Sequence, residues 1–205
     1  MSRFSRRAFA AAALASALTA CGGGTAERPR AARTPPSPQP ARGSRPAAGS
    51  APARLLIPAI GVDTPVMPLG LAADGTVQVP PVEAHDRAGW YRHSPPPGRT
   101  GPSVLLGHVT VGRYGDGVFR HLARLRPGDR VEARLEDGTA ARFAVTAVRT
   151  VPRNEFPADD VYGNVARPEL RLITCGGART GDGYADNVIV FAVQDGAESP
   201  TSGER

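Results

Sequence analysis

From Ala53 onward the apolar residues fall into short runs with a period near two, the signature of half-buried strands. Arg54–Pro58 reads as a first strand, stopped by its proline. Val62–Leu69 is a second, broken by Pro65 and Pro68 and therefore an edge or bulged strand. Ala73-Asp74-Gly75 makes a turn before Val77-Gln78-Val79. Ser103–His108 is more continuously apolar, as a central strand is. Arg130–Leu135 and Ala141–Val151 alternate well, and Glu136-Asp137-Gly138 between them is a hairpin signal. Leu170–Cys175 and Asn187–Val193 complete the set. One helical segment is expected over Val118–Leu125, where Phe119, Leu122 and Leu125 recur every third residue, with a turn at Arg126–Asp129. About eight short strands separated by turns, with one or two short helices and no internal repeat, predict an all-β domain, a closed barrel or sandwich.

Composition confines that domain to part of the 205 residues. Residues 53–193 hold nearly all the large apolar side chains. Residues 22–52 are mostly Gly, Pro, Ala, Ser, Thr and Arg, a composition that cannot offset ordering entropy by burial, so they read as a disordered linker. Residues 194–205 read as a polar tail. Net charge is +6, but residues 55–193 carry 15 Arg against 15 Asp and Glu, while residues 1–54 carry 9 Arg against Glu27 alone. The surplus is in the leader and linker, so the domain has no basic face of its own and nucleic acid is not an expected partner.

The two cysteines, Cys21 and Cys175, are explained separately. Ser5-Arg6-Arg7-Ala8-Phe9 resembles a twin-arginine export motif. Residues 8–17 form an apolar run, too short for the roughly 20 residues a bilayer span needs. Leu18-Thr19-Ala20-Cys21 then resembles a lipobox. Residues 1–21 are thus an export signal with a lipidation site at Cys21, the alternative being a plain signal cut near Ala20. The expected location is the outer face of the cell membrane, on a lipid anchor.

Cys175 ends an apolar strand and precedes Gly176-Gly177 and a polar loop reaching Asp186. Position alone leaves two readings open, a buried structural thiol and a reachable nucleophile. His108 favours the second. It also ends an apolar strand and enters a Gly-rich loop, and a thiol nucleophile needs a nearby base or cation. His121 falls on the helical segment, and His85 and His93 fall in Pro/Gly-rich loops as solvated residues. The spacing of these groups is not that of a zinc site, and no metal or cofactor is expected.

Leu105-Leu106-Gly107-His108-Val109, followed far downstream by Leu170-Arg171-Leu172-Ile173-Thr174-Cys175, resembles the paired signatures of sortases. Trp90-Tyr91, Leu125–Asp129 and Tyr184-Ala185-Asp186-Asn187-Val188 resemble the actinobacterial class F branch. The resemblance spans about residues 53–193. It implies an eight-stranded sortase β-barrel and a monomeric enzyme in which Cys175 attacks an LPxTG-like sorting signal and His108 protonates the leaving amine. It further implies surface proteins bearing that signal, and a cell-wall precursor amine, as partners. Sortases carry an Arg on the last strand, and the matching position here is Asn187. Arg179, Arg113 and Thr174 are the other candidates for holding the oxyanion or substrate. Two alternatives stay open: a Cys/His enzyme of another fold, and a peptide-binding lipoprotein with an inactive sortase-like groove. Residues 152–168 are expected to form the loop before the Cys175 strand and to help set specificity.

Overall fold

A computed structural model describes residues 49–180 and 183–196. The leader with Cys21, the linker as far as residue 48 and the tail from residue 197 lie outside the described residues. The strands are β1 (Pro52–Ile57), β2 (Val62–Leu69), β3 (Ala88–Tyr91), β4 (Gly101–Leu106), β5 (Thr110–Val111), β6 (Gly115–Asp116), β7 (Arg130–Leu135), β8 (Ala140–Pro152), β9 (Pro168–Thr180) and β10 (Gly183–Gln194). Eight of them close a barrel in the order β1-β2-β3-β4-β9-β10-β8-β7, and β5 and β6 form a separate two-stranded ribbon. Two pairs, β2–β3 and β4–β9, are parallel, and the rest of the barrel is antiparallel. Parallel neighbours need crossovers, so residues 70–87 must travel the height of the barrel between β2 and β3.

The period-two pattern becomes two packed layers. Leu55, Leu105, Val131, Phe143, Leu172 and Val190, from six different strands, fill the barrel interior. Val104, Ile173, Ile189 and Phe191 point the other way and form a second buried cluster outside the barrel. Val161 covers that cluster from α1 (Ala158–Tyr162), which lies in the segment between β8 and β9.

Three expectations are corrected. Val118–Leu125 is no α-helix; only Leu122–Arg124 forms a 3-10 turn. A spacing of three residues is the 3-10 repeat, so Phe119, Leu122 and Leu125 can all be buried without an α-helix. Nine residues between Gly117 and Pro127 also offer little beyond the costly helical nucleus. Val77–Val79 contributes a single bridge, Val77 to Leu71, instead of a strand. Gln78 folds back instead: its N–H donates to the Gly70 carbonyl at 3.0 Å and its Oε1 accepts from the Gly70 N–H at 2.8 Å, closing a tight loop. Residues 176–180 and 183–186, expected in a polar loop, continue β9 and β10, so Cys175 sits within a strand and not at its end.

Candidate active site

Cys175 alternates with Ile173 and Arg171 on the outer face of β9, and its thiol is free and exposed. Its cross-strand partner on β10 is Asn187. Directly opposed residues in an antiparallel pair hold their Cβ atoms about 4.5–5.5 Å apart, so the amide and thiol share one patch of surface. Two residues further along, the ladder slips: Asp186 pairs with Gly176 but Tyr184 pairs with Arg179. Gly177 absorbs this bulge with φ 72°, and a Cβ there would run into the Asp186 carboxylate.

His108 arrives from the parallel neighbour. The β4–β9 register runs from Gly101↔Pro168 to Leu106↔Ile173, a constant offset of 67 residues. It carries on past the end of β4, because the Gly107 N–H donates to the Ile173 carbonyl at 3.1 Å. The Thr174 hydroxyl, buried, donates to the Gly107 carbonyl at 2.7 Å. The same offset sets His108 level with Cys175. The His108 carbonyl accepts from the Phe119 N–H at 2.9 Å, and Gly117 packs so close to His108 that a Cβ would overlap its carbonyl. The His108 Nε2 lies 2.6 Å from the Pro80 carbonyl oxygen. Cys175 Sγ has no hydrogen-bond partner among the described residues, so the imidazole and thiol are not hydrogen-bonded to each other. Unliganded sites commonly tighten such contacts only with substrate in place.

Register thus sets Asn187 opposite Cys175, and the β4–β9 offset carried past Leu106 falls on His108, whereas the other candidates have partners or positions of their own. Thr174 faces the interior and clamps β9 to the Gly107 turn. Arg179 is exposed and four residues further along β9, about 13 Å at the usual strand rise. Arg113 lies over the Tyr114 ring, 5.0 Å from its centroid, and donates to its hydroxyl at 2.9 Å. Its 3-10 turn, Gly112–Tyr114, belongs to the β5–β6 ribbon.

A cavity of about 550 Å³ opens beside the outer cluster, lined by Leu71, Val77, Tyr91, His93, Phe156 and Tyr162. Tyr91 and Phe156 also pack against the cluster that contains Ile173 and Leu106, two residues before Cys175 and His108. His93 is exposed, as expected of it, whereas His85 is half-buried and departs from the solvated role expected. The His93 ring leans on Tyr91 at 5.4 Å, and His85 on Tyr114 at 5.5 Å. Burial pushes the Tyr162 phenol pKa up, and Tyr91 adds to the effect. A second cavity of about 380 Å³, beside the β7–β8 turn, contains neither Cys175 nor His108.

The segment that walls this cavity is pinned by charge. Arg171, almost fully buried, stacks on Phe191 at 4.7 Å, pairs with Glu169 at 2.7 Å and donates to the Asp160 carbonyl at 3.2 Å. Arg149 stacks on the same ring at 4.7 Å and pairs with Asp160 at 2.8 Å. Burial works to raise the Glu169 carboxyl pKa, but hydrogen bonds and charge from Arg167 and Arg171 outweigh it, and the carboxyl is held below its ordinary value. This network and the Pro80 carbonyl escaped the sequence reading. The Pro80-Pro81 pair was the available signal for a stiff backbone there.

A closed eight-stranded barrel with an exposed strand thiol beside a loop imidazole has the architecture of a β-barrel cysteine transpeptidase. Residues 55–195 match the Sortase domain model, which covers more than half of the chain, and the chain belongs to the sortase family. Among solved structures it is similar to sortase C-1 from Actinomyces oris, with TM-score 0.54 and 22% identity over 69% of this chain and 72% of that one. It is also similar to a Clostridium perfringens sortase D5 transpeptidase, with TM-score 0.53 and 22% identity over 71% of this chain and 79% of that one. Sortase C1 of GBS pilus island 1 matches with TM-score 0.54 and 18% identity over 74% and 67%. At these identities the structural likeness speaks for the fold. A search of the curated proteins found no match.

Proposed function

We propose that this sortase, of the class F kind its motifs resemble, cleaves an LPxTG-like sorting signal through a thioacyl intermediate on Cys175. The observation that carries the reading is the exposed Cys175 thiol, level with His108 and directly across from Asn187. The Cys175 thiolate adds to the Thr carbonyl carbon of the signal. The carbonyl electron pair moves to oxygen, where an Asn187 side-chain N–H donates to the oxyanion. As the pair returns, the C–N bond to Gly breaks and His108 imidazolium gives its proton to the leaving nitrogen. An amine of a cell-wall precursor then attacks the thioester, His108 takes up its proton, and the thiolate is released. Water in place of the amine gives hydrolysis. The cavity at Tyr91, Phe156 and Tyr162, beside the cluster that holds Ile173 and Leu106, supplies an apolar surface for the signal's own side chains.

In this reading Cys21 is the lipidated first residue of the mature protein. The Pro-rich linker holds the domain at the outer membrane face, where anchored substrates and wall precursors meet. Mass spectrometry of the mature protein would find acylated Cys21 at its N-terminus; an intact leader would refute the anchor. The catalytic claim is tested by incubating purified protein with a Leu-Pro-Ala-Thr-Gly peptide. Expected are cleavage between Thr and Gly and a trapped thioacyl adduct on Cys175. Asn187, where the family has Arg, favours one competing reading, a peptide-binding lipoprotein without turnover. Binding of sorting-signal peptides with neither cleavage nor adduct would select it.

A further inference from the structure

The His108 ring touches one hydrogen-bonding group, the Pro80 carbonyl oxygen, at 2.6 Å from Nε2. A carbonyl can only accept, so Nε2 must carry a proton. The nitrogen left to exchange protons is Nδ1. We infer that the β2–β3 loop is a positioning element for catalysis, with the Pro80 carbonyl fixing the tautomer and orientation of His108. It does for this imidazole what a carboxylate or amide does in other nucleophilic sites.

The local chemistry suits a rigid acceptor. Pro80 is buried while Val79 beside it is 61% exposed. A residue followed by proline is confined to the extended region, and Pro81 itself sits at φ −55°, ψ 148°, so the direction of the Pro80 carbonyl has little freedom. Upstream, Gln78 is latched to Gly70 by two hydrogen bonds, of 3.0 and 2.8 Å. Downstream, the His85 carbonyl accepts from the Val118 N–H at 2.8 Å, next to Phe119, whose N–H holds the His108 carbonyl. The loop is thus latched to itself upstream of Pro80 and tied downstream to the segment that holds the His108 carbonyl. The same loop supplies Leu71 and Val77 to the cavity beside the outer cluster.

In the acylation step, imidazolium Nδ1–H passes its proton to the leaving amine nitrogen, and the ring relaxes to the neutral Nε2–H form. Its bond to Pro80 stays intact throughout, so no ring flip is needed between acylation and deacylation.

This inference rests on His108 being the acid of the proposed reaction, and its test separates the two claims. Nitrogen-15 histidine NMR of the full chain reads the tautomer of neutral His108 without any substrate. A single Nε2–H form is expected. The double variant Pro80→Gly/Pro81→Gly should mix the tautomers and lower kcat on the Leu-Pro-Ala-Thr-Gly peptide about 10-fold, with KM little changed. Gln78→Ala, which loosens the latch and spares both prolines, should act in the same direction more weakly. Wild-type His108 in the Nδ1–H form overturns the proposal. So does a folded double-glycine variant with unaltered tautomer, whatever its kcat. Undiminished cleavage by His108→Ala would instead overturn the catalytic reading itself.

Discussion

β9 presents Leu170, Leu172 and Thr174 to the barrel interior and Arg171, Ile173 and Cys175 to the outside. The inner row does what any barrel strand must: it fills volume, and its one polar member spends its hydroxyl on the Gly107 carbonyl. The outer row mixes a buried guanidinium, an apolar side chain and an exposed thiol within five residues. Burial of Arg171 is tolerable only because Glu169, Phe191 and the Asp160 carbonyl receive it. One strand therefore divides by parity into an inner row that serves packing alone and an outer row that carries the thiol after its own buried members.

The sharpest way to break that division is at Cys175. Cys175→Ala should abolish peptide cleavage while leaving the thermal transition near that of wild type, and retained activity would end the proposal. His108→Ala should cost about 10²–10⁴-fold in kcat/KM, again with the fold intact. Leu172→Ala tests the other face. It should lower stability by about 2–5 kcal/mol in denaturant titrations, with activity per folded molecule close to wild type. A selective loss of turnover there would show that the faces are not independent. Asn187→Ala should lower kcat about 10²-fold with smaller changes in KM, as loss of one oxyanion donor does. No effect would remove Asn187 from the site.

The smallest effect concerns the charges pinning the outer segment. The Glu169 carboxyl is held low in the folded state, so the unfolded chain binds its proton more readily. Its stabilising contribution is complete above the ordinary carboxylate pKa and fades as pH falls through the lowered one. Glu169→Gln should therefore reduce stability at neutral pH and flatten the acid side of the stability profile. Equal pH slopes for variant and wild type would show that Glu169 carries none of it.

Much of the barrel was legible because alternation reports which face of a strand is buried. β2 and β7 begin and end where the pattern placed them, and β1, β4, β8, β9 and β10 differ at their ends. β3 was not readable as a strand. It is four residues long, and Gly89 lies against Leu69 where a side chain would collide. α1 was invisible for a related reason, since five residues cannot display a helical period. The helix expected at Val118–Leu125 failed because a spacing of three fits the 3-10 turn as well as the α-helix.

The residue types and local pattern by themselves determined that this chain is a strand-built domain with one free cysteine inside it and a histidine at the end of an apolar run. Which residues meet was decided only in three dimensions. The constant offset of the parallel β4–β9 pair, carried past Leu106, sets His108 level with Cys175, and the antiparallel β9–β10 register puts Asn187 opposite Cys175 and Arg179 opposite Tyr184. Pro80 meets His108 across 28 positions of sequence through a backbone carbonyl, a group every residue possesses. No side-chain pattern can single out one carbonyl from the rest, because its role comes from the direction in which the closed loop points it.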